Sequence, residues 1–226
     1  MARSSSKGRC TYCQKDFSFQ MMLKHLPACA ERLALIAKVE KKTGARETLY
    51  HLRVQSLNCK AFWLDLEVRG SATLNQLDGY LRAIWLECCG HLSHFAFGGW
   101  QGEELEMKKK ISAVFETKEA LTHLYDYGTT SMTTIHATGK RKGKPTSRHP
   151  IALMARNLQP EAECTVCHKP ASLLCEECLI EEGVWGTLCE AHAKEHEHDN
   201  YGDPIPLVNS PRLGLCGYTG PADPPY

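Results

Sequence analysis

Hydrophobic and polar positions alternate along two stretches in the first third of the chain, 49–57 and 61–68, with a short polar turn around Asn58 between them. A period of two sends successive side chains to opposite faces, so both stretches are predicted strands of one hairpin. The period then lengthens. Leu74, Leu77, Leu81, Ile84 and Cys88 recur at helical spacing behind a Thr73 to Gln76 capping box, which predicts a helix with one buried face. A strand is expected over 91–97 before the Gly98-Gly99 turn, and further strands at 111–115, 121–127, 132–138 and 151–155. Upstream, Leu33, Ile36, Ala37 and Glu40 among scattered lysines predict a surface helix over 28–42, stopped by Thr43 and Gly44.

This succession predicts an α+β fold: a central mixed or antiparallel sheet with a packed helix over residues 43–160. An N-terminal segment, 1–42, and a C-terminal segment, 161–226, flank it. Hydrophobic residues at 42 % and charged residues at 23 % are ordinary for a globular protein and exclude wholesale disorder.

The flanks carry the chemistry. Cys10, Cys13, His25 and Cys29 combine a two-residue cysteine knuckle with a His and Cys four apart, the pattern of a C2HC zinc finger with both later ligands on one helix face. Phe17 and Leu23 are placed to give it a small apolar core. Pro27 lies awkwardly between the helical ligands, because an interior proline bends a helix.

The C-terminal segment holds Cys164 and Cys167, Cys175 and Cys178, Cys189 and His192, and His196 and His198. Two residues between cysteines let one tight turn aim both thiolates at one ion, and zinc takes four such donors tetrahedrally. Eight donors imply two structural zincs, paired consecutively or interleaved as in a cross-brace. Interleaving is preferred, with Cys164, Cys167, Cys189 and His192 on one ion and Cys175, Cys178, His196 and His198 on the other. The whole chain is therefore expected to hold about three zinc ions.

Charge divides the molecule. Residues 1–160 carry 24 basic and 14 acidic side chains, a balance of +10; residues 161–226 carry 3 and 12, a balance of −9. The basic stretch 139–149, with Lys140, Arg141, Lys142, Lys144 and Arg148, is expected to be a flexible loop. With Arg3, Lys7, Arg9, Lys15 and Lys24 around the finger it gives two basic patches suited to phosphates. No apolar run approaches the ~20 residues of a membrane span, and residues 1–9 are basic and Ser-rich. The twelve cysteines, eight of them at metal-type spacing, then read as thiolates of a cytoplasmic protein.

Leu74-Asn75-Gln76-Leu77, Ile84-Trp85-Leu86-Glu87-Cys88-Cys89-Gly90-His91-Leu92-Ser93 and Tyr125-Asp126-Tyr127-Gly128-Thr129-Thr130 resemble phrases of the Ri-plasmid ORF-three-like family. Its members travel as passengers of insertion elements and are labelled TnpR. Ala155-Arg156-Asn157, the C-terminal Cys/His run and Asn209-Ser210-Pro211-Arg212 resemble a zinc-carrying branch of it. The resemblance covers 48–226, leaving the finger outside. It implies an α+β fold and an association with mobile DNA, with no established activity. Tyr127 stands where the family phrase has Phe, and Thr129 and Thr130 where it has acidic residues.

Enzyme signatures are absent: no Walker loop, His-Glu-x-x-His helix, Gly-x-Ser-x-Gly elbow or dinucleotide fingerprint occurs. His91, His94, Tyr125 and Asp126 are the polar candidates for an active site outside those signatures. Cys88 and Cys89 read as packing residues in preference to a further metal site or a nucleophile pair. The expected function is a non-catalytic zinc protein that binds DNA and belongs to a mobile element. The alternative is a protein-interaction adaptor working through the acidic zinc module.

Overall fold

The computed structural model describes residues 6–86, 90–117, 119–198 and 200–220. The chain opens with β1 (Lys7–Cys10) and β2 (Asp16–Ser18), then α1 (Phe19–Ala28) and α2 (Ala30–Glu40). β3 (Glu47–Ser56) and β4 (Trp63–Arg69) follow, then α3 (Leu74–Leu81) and a π-helical turn, Arg82–Leu86. Next come β5 (Ser93–Phe97), β6 (Glu104–Leu105), α4 (Ile111–Val114), β7 (Leu121–Tyr125), β8 (Ser131–Gly143) and β9 (Ile151–Asn157). Last are β10 (Leu173–Cys175), α5 (Glu176–Ile180), β11 (Gly186–Leu188), α6 (Glu190–Lys194) and β12 (Ile205–Pro206).

Nine strands form one sheet in the order β2-β1-β9-β4-β3-β8-β7-β5-β6, and every registered pair in it is antiparallel. The α+β expectation holds. Tyr50, Leu52 and Val54 of β3 and Leu64, Leu66 and Val68 of β4 point to one face, where Leu74, Leu77, Leu81, Ile84 and Trp85 cover them. Thr73 caps α3 as expected, its hydroxyl accepting from Gln76 N while the Gln76 side chain accepts from Thr73 N. The α-helix ends at Leu81 and widens into the π-helical turn, in which Ile84, Trp85 and Leu86 are all buried. Cys88 and Cys89 lie outside the described residues, as does Arg3.

The other sheet face is buried as well, which explains why all six positions of β4 before Arg69 are buried. Trp63, Asp65 and Glu67 project there, beneath the N-terminal segment. β1 pairs with β9 and carries the β2 hairpin, so the finger is the edge of the main sheet. Gly8 makes this contact possible: a Cβ on it would lie 2.4 Å from the Trp63 ring and 2.6 Å from the Arg156 carbonyl oxygen. The shared core is Met22, Leu26, Trp63, Met154 and Ala155, with Phe17 and Phe19 at its rim. Leu23, expected in that core, gives way to Met22 and Leu26.

Three further expectations are corrected. Residues 111–115 form the short helix α4, because their N–H groups turn to Ala72 O and Gly70 O beside α3 and leave no sheet ladder. A short apolar run does not distinguish strand from helix by period alone. The surface helix expected over 28–42 is α2, but His25 and Cys29 do not share one helix: Pro27 lies in the last turn of α1, and Cys29, with ψ 116°, breaks the chain before α2. The basic stretch is loop only from 144 onwards, since β8 runs to Gly143, paired with β3 over Glu47 to Ser56, and β9 begins at Ile151.

Candidate metal centres

Three groups of four ligand atoms converge, each with all its donors within 4.8 Å of one another. They are Cys10, Cys13, His25 and Cys29; Cys164, Cys167, Cys189 and His192; and Cys175, Cys178, His196 and His198. In each, the spacings match the edges of a zinc tetrahedron. Zn–S of about 2.3 Å and Zn–N of about 2.05 Å require edges of roughly 3.8 Å for S···S, 3.6 Å for S···N and 3.3 Å for N···N. The observed values are 3.9 Å for Cys167 to Cys189, 3.2–3.6 Å for the sulfur to imidazole pairs and 3.1 Å for His196 to His198. Each cluster is capable of coordinating one zinc ion.

In the N-terminal centre, the turn after β1 carries Cys10 and Cys13, α1 supplies His25 through Nε2, and the helix break supplies Cys29. His25 and Cys29 therefore sit on a helix end and a kink, not on one continuous helix face. Phe17 stacks on the His25 ring at 4.0 Å and fixes its plane. Burial pushes the Cys29 thiol up to about 12, so a cation must offset the cost of holding its thiolate there.

The two C-terminal centres interleave. β10 and β11 run antiparallel, so Cys175, closing β10, and Cys189, following β11, are delivered to opposite ends of the hairpin. Cys189 and His192 join the Cys164–Cys167 knuckle, while Cys175 and Cys178 meet His196 and His198. His192 and His198 present Nδ1 and His196 presents Nε2. The remaining His198 nitrogen, Nε2, lies 3.4 Å from a Glu182 carboxylate oxygen, the outer-shell partner that orients a ligating imidazole. A Cβ on Gly186 would lie 2.6 Å from Cys178 Cβ, so only glycine lets β11 close on the second knuckle.

Thiol acidity differs within the module. Burial drives the Cys178 thiol to about 12, with Cys175 adding to it. At Cys164 burial acts in the same direction, but N–H groups of Cys189, Cys167 and Val166 and the His192 ring outweigh it and bring the thiol to about 6. Four protein donors close each site, which makes them structural centres, with no open position for a reacting water.

The basic residues meet different fates. Arg9 pairs with Asp16 at 2.8 Å, and Arg141 grips Glu67 through Nε and Nη2 at 2.9–3.1 Å. The Lys144 ammonium donates to the carbonyl oxygens of Glu40 and Lys42, and its N–H to Glu40 Oε1. Lys15, Lys24, Lys140, Lys142 and Arg148 are exposed. Lys41, Lys42 and Arg46, between α2 and β3, are exposed beside β8; nothing in a local pattern could have placed them there.

The polar candidates outside the metal centres also come together in part. His91 Nε2 lies 3.6 Å from Asp126 Oδ2 and 3.8 Å from Cys216 Sγ, and its ring meets Tyr125 edge-on. Arg212, from the tail, donates to Asp126 at 2.8 Å and to the Thr129 carbonyl oxygen at 2.9 Å. His94 is separate, bonded to the Tyr127 hydroxyl. The tail is a buried strap: Ser210 donates to Trp85 O and Asn209 exchanges bonds with Asn157.

No family model matches the chain, and no curated protein does. Among solved structures, a protein of unknown function from Methanosarcina mazei Go1 aligns at 21 % identity with a TM-score of 0.40. The alignment covers 46 % of this chain and 66 % of that one, just under two thirds of its length. The chain is a zinc-binding protein by its ligand sets. No helix among the described residues is long and apolar enough to cross a membrane.

Proposed function

We propose that the protein binds the phosphate backbone of nucleic acid, duplex DNA first, using zinc for rigidity and its basic end for contact. The observation that carries this reading is the Lys144 clasp on the end of α2. It ties Lys41 and Lys42 to the end of β8, the strand that carries Lys140 and Lys142, so that exposed lysines from segments about a hundred residues apart gather on neighbouring segments. Such a cluster attracts polyanions and releases counterions on contact. Arg141 and Lys144 serve the fold here, so the earlier assignment of both to DNA contact is narrowed to Lys140, Lys142 and Arg148, with Lys15 and Lys24 as a separate patch on the finger.

The association with mobile DNA implied by the family resemblance fits this reading and belongs to the same proposal. The test is fluorescence anisotropy of zinc-loaded protein on duplex and single-stranded DNA across a salt series. Replacing Lys41, Lys42, Lys140 and Lys142 by alanine is expected to flatten the logarithmic salt slope by roughly 0.9 per lost phosphate contact. Absence of binding at low salt would overturn the proposal.

A second reading, protein docking through the acidic module, has its own support: Val166, Val184 and Tyr201 are exposed apolar side chains on it. Val166→Ser with Val184→Ser would leave DNA binding intact and weaken only a protein complex.

A further inference from the structure

The tail strap carries a thiol into a cluster of charged and titratable groups that no zinc centre uses. Of the described cysteines, only Cys59 and Cys216 lie outside the three ligand sets, and Cys216 is exposed. Its backbone is left-handed, with φ 60° and ψ 27°, a conformation that strains any residue with a Cβ and gathers at functional sites. Its N–H donates to Glu176 Oε1 at 2.5 Å, which pins the turn to α5. Three other groups meet it there: Arg212 from the strap, Asp126 just after β7 and His91 just before β5.

Four side-chain atoms close a ring. Arg212 Nη2 lies 3.6 Å from Cys216 Sγ and donates to Asp126 Oδ2 at 2.8 Å. Asp126 Oδ2 lies 3.6 Å from His91 Nε2, which lies 3.8 Å from Cys216 Sγ. The ring is held from outside. Asp126 Oδ1 accepts from the N–H groups of Gly128 and Thr129, which leaves Oδ2 to Arg212 and His91. The buried Tyr125 ring meets His91 edge-on and lies 5.3 Å from the Arg212 guanidinium. With a neutral thiol and a neutral imidazole, only Arg212 and Asp126 carry charge in the ring. Moving one proton from Sγ to Nε2 makes the signs alternate all round: thiolate, guanidinium, carboxylate, imidazolium. Each charge then has two neighbours of opposite sign, which favours the transfer. Two further charged groups border the cluster among the described residues. Glu176 faces the Cys216 N–H, and Arg82, paired with Asp78, donates to the His91 carbonyl oxygen at 2.7 Å.

From this geometry we infer that Cys216 is a nucleophilic thiol, activated by His91 and open to oxidation by a hydroperoxide. An adjacent base within reach of the thiol proton is what activates such a nucleophile. The thiolate sulfur attacks a peroxide oxygen, the S–O bond forms as the O–O bond breaks, and the imidazolium gives its Nε2 proton to the departing oxygen. Hydrogen peroxide thus yields a sulfenic acid on Cys216 and one water; sulfur is oxidised, peroxide is reduced and His91 returns to neutral. The arrangement differs from a catalytic triad, because Asp126 and the thiol face the same imidazole nitrogen. Asp126 offsets the imidazolium charge and does not orient the ring through its second nitrogen. A sulfenic acid carries no negative charge, so oxidation removes one member of the ring beside Arg212. The site is independent of the nucleic-acid reading.

The experiment uses the full zinc-loaded chain, alkylated with iodoacetamide and mapped cysteine by cysteine by mass spectrometry. Near pH 7, Cys216 is expected to react about tenfold or more faster than N-acetylcysteine, and ahead of Cys59 in the same chain. In His91→Gln the rate should drop about tenfold and fall nearly tenfold per pH unit between about pH 8 and about pH 6, as for an ordinary thiol, where wild type falls less steeply. Zinc content of three and an unchanged far-ultraviolet spectrum keep the variants comparable. A second measurement leaves His91 in place: thiolate absorbance, read as wild type minus Cys216→Ser near pH 7, is expected to be positive. Hydrogen peroxide followed by dimedone should then label Cys216 first and leave zinc bound. A Cys216 rate equal to that of N-acetylcysteine, a rate unchanged in His91→Gln, or no thiolate difference would overturn the inference. So would a fourth zinc ion lost in Cys216→Ser. Zinc release before any label on Cys216 would overturn the hydroperoxide step.

Discussion

The N-terminal zinc centre and the C-terminal pair use the same donors for different purposes. The first is grafted onto a sheet that has its own core: its hairpin pairs with β9, and Met22 and Leu26 share a cluster with Trp63, Met154 and Ala155. The C-terminal module has little apolar substance apart from its ligands; its cluster of buried residues is Cys164, Cys175, Cys178 and Leu188. It leans on the main core through Leu174 and Leu213. Zinc thus seals an edge in one region and replaces a core in the other. The difference follows from size, since a segment of a few dozen residues cannot bury enough surface to fold alone.

Removing zinc gives the largest effect and separates the two regions. Chelation is expected to unfold the C-terminal module, because structural zinc supplies on the order of 10–16 kcal/mol in small fingers. Hydrogen exchange should show β10 and β11 losing protection while β3, β4 and β8 retain it. Equal loss across the chain would show that the sheet also depends on metal.

Next in size is the charged layer under the finger. Asp65 is fully buried and held by both Arg53 and His51. Asp65→Ala strands Arg53 without its partner and is expected to cost about 3–5 kcal/mol in urea melts. Zinc content should stay at three, since no ligand is touched. Gly8→Ala is a milder probe of the same junction: the added methyl meets Trp63 and the Arg156 carbonyl. A cost of about 1–3 kcal/mol is expected, with exchange rising in β1 and the edge of β9 but not in β10 or β11.

The smallest effect serves as a reference on the α3 side, away from all three metal sites. At Asp78 burial opposes ionisation, but bonds from His123 and Ser93 and the Arg82 pair outweigh it and hold the carboxyl at about 2, below its ordinary 3.8. A depressed folded value adds stability above the ordinary one and loses it as pH falls towards the folded one. The advantage of wild type over Asp78→Asn, about 1–2 kcal/mol near neutrality after discounting for solvent, should therefore shrink between about pH 4 and about pH 2. Comparing the two proteins at each pH cancels any zinc loss common to both.

Local chemistry in the sequence was enough for the metal ligands, the β3–β4 hairpin and the capped start of α3. Each depends on residues close together: a knuckle within four positions, an alternation, a cap three residues from its partner. Where the argument needed a partner far along the chain, local pattern failed. Residues 111–115 read as a strand, and only the carbonyls of Ala72 and Gly70, which accept the N–H groups of Ile111 and Ser112, make them a helix. Arg141 and Lys144 read as solvated charges until Glu67 and Glu40 meet them.

Sequence by itself determined that the chain carries three four-donor zinc sets, because ligand type and spacing are covalent facts of the chain and a tetrahedral ion tolerates few alternatives. Tertiary structure alone decided that the finger is an edge of the main sheet and that Lys41 and Lys42 meet the end of β8. Those outcomes depend on which long-range strands pair and which charges are consumed by burial, and both are settled only when the faces of the sheet are covered.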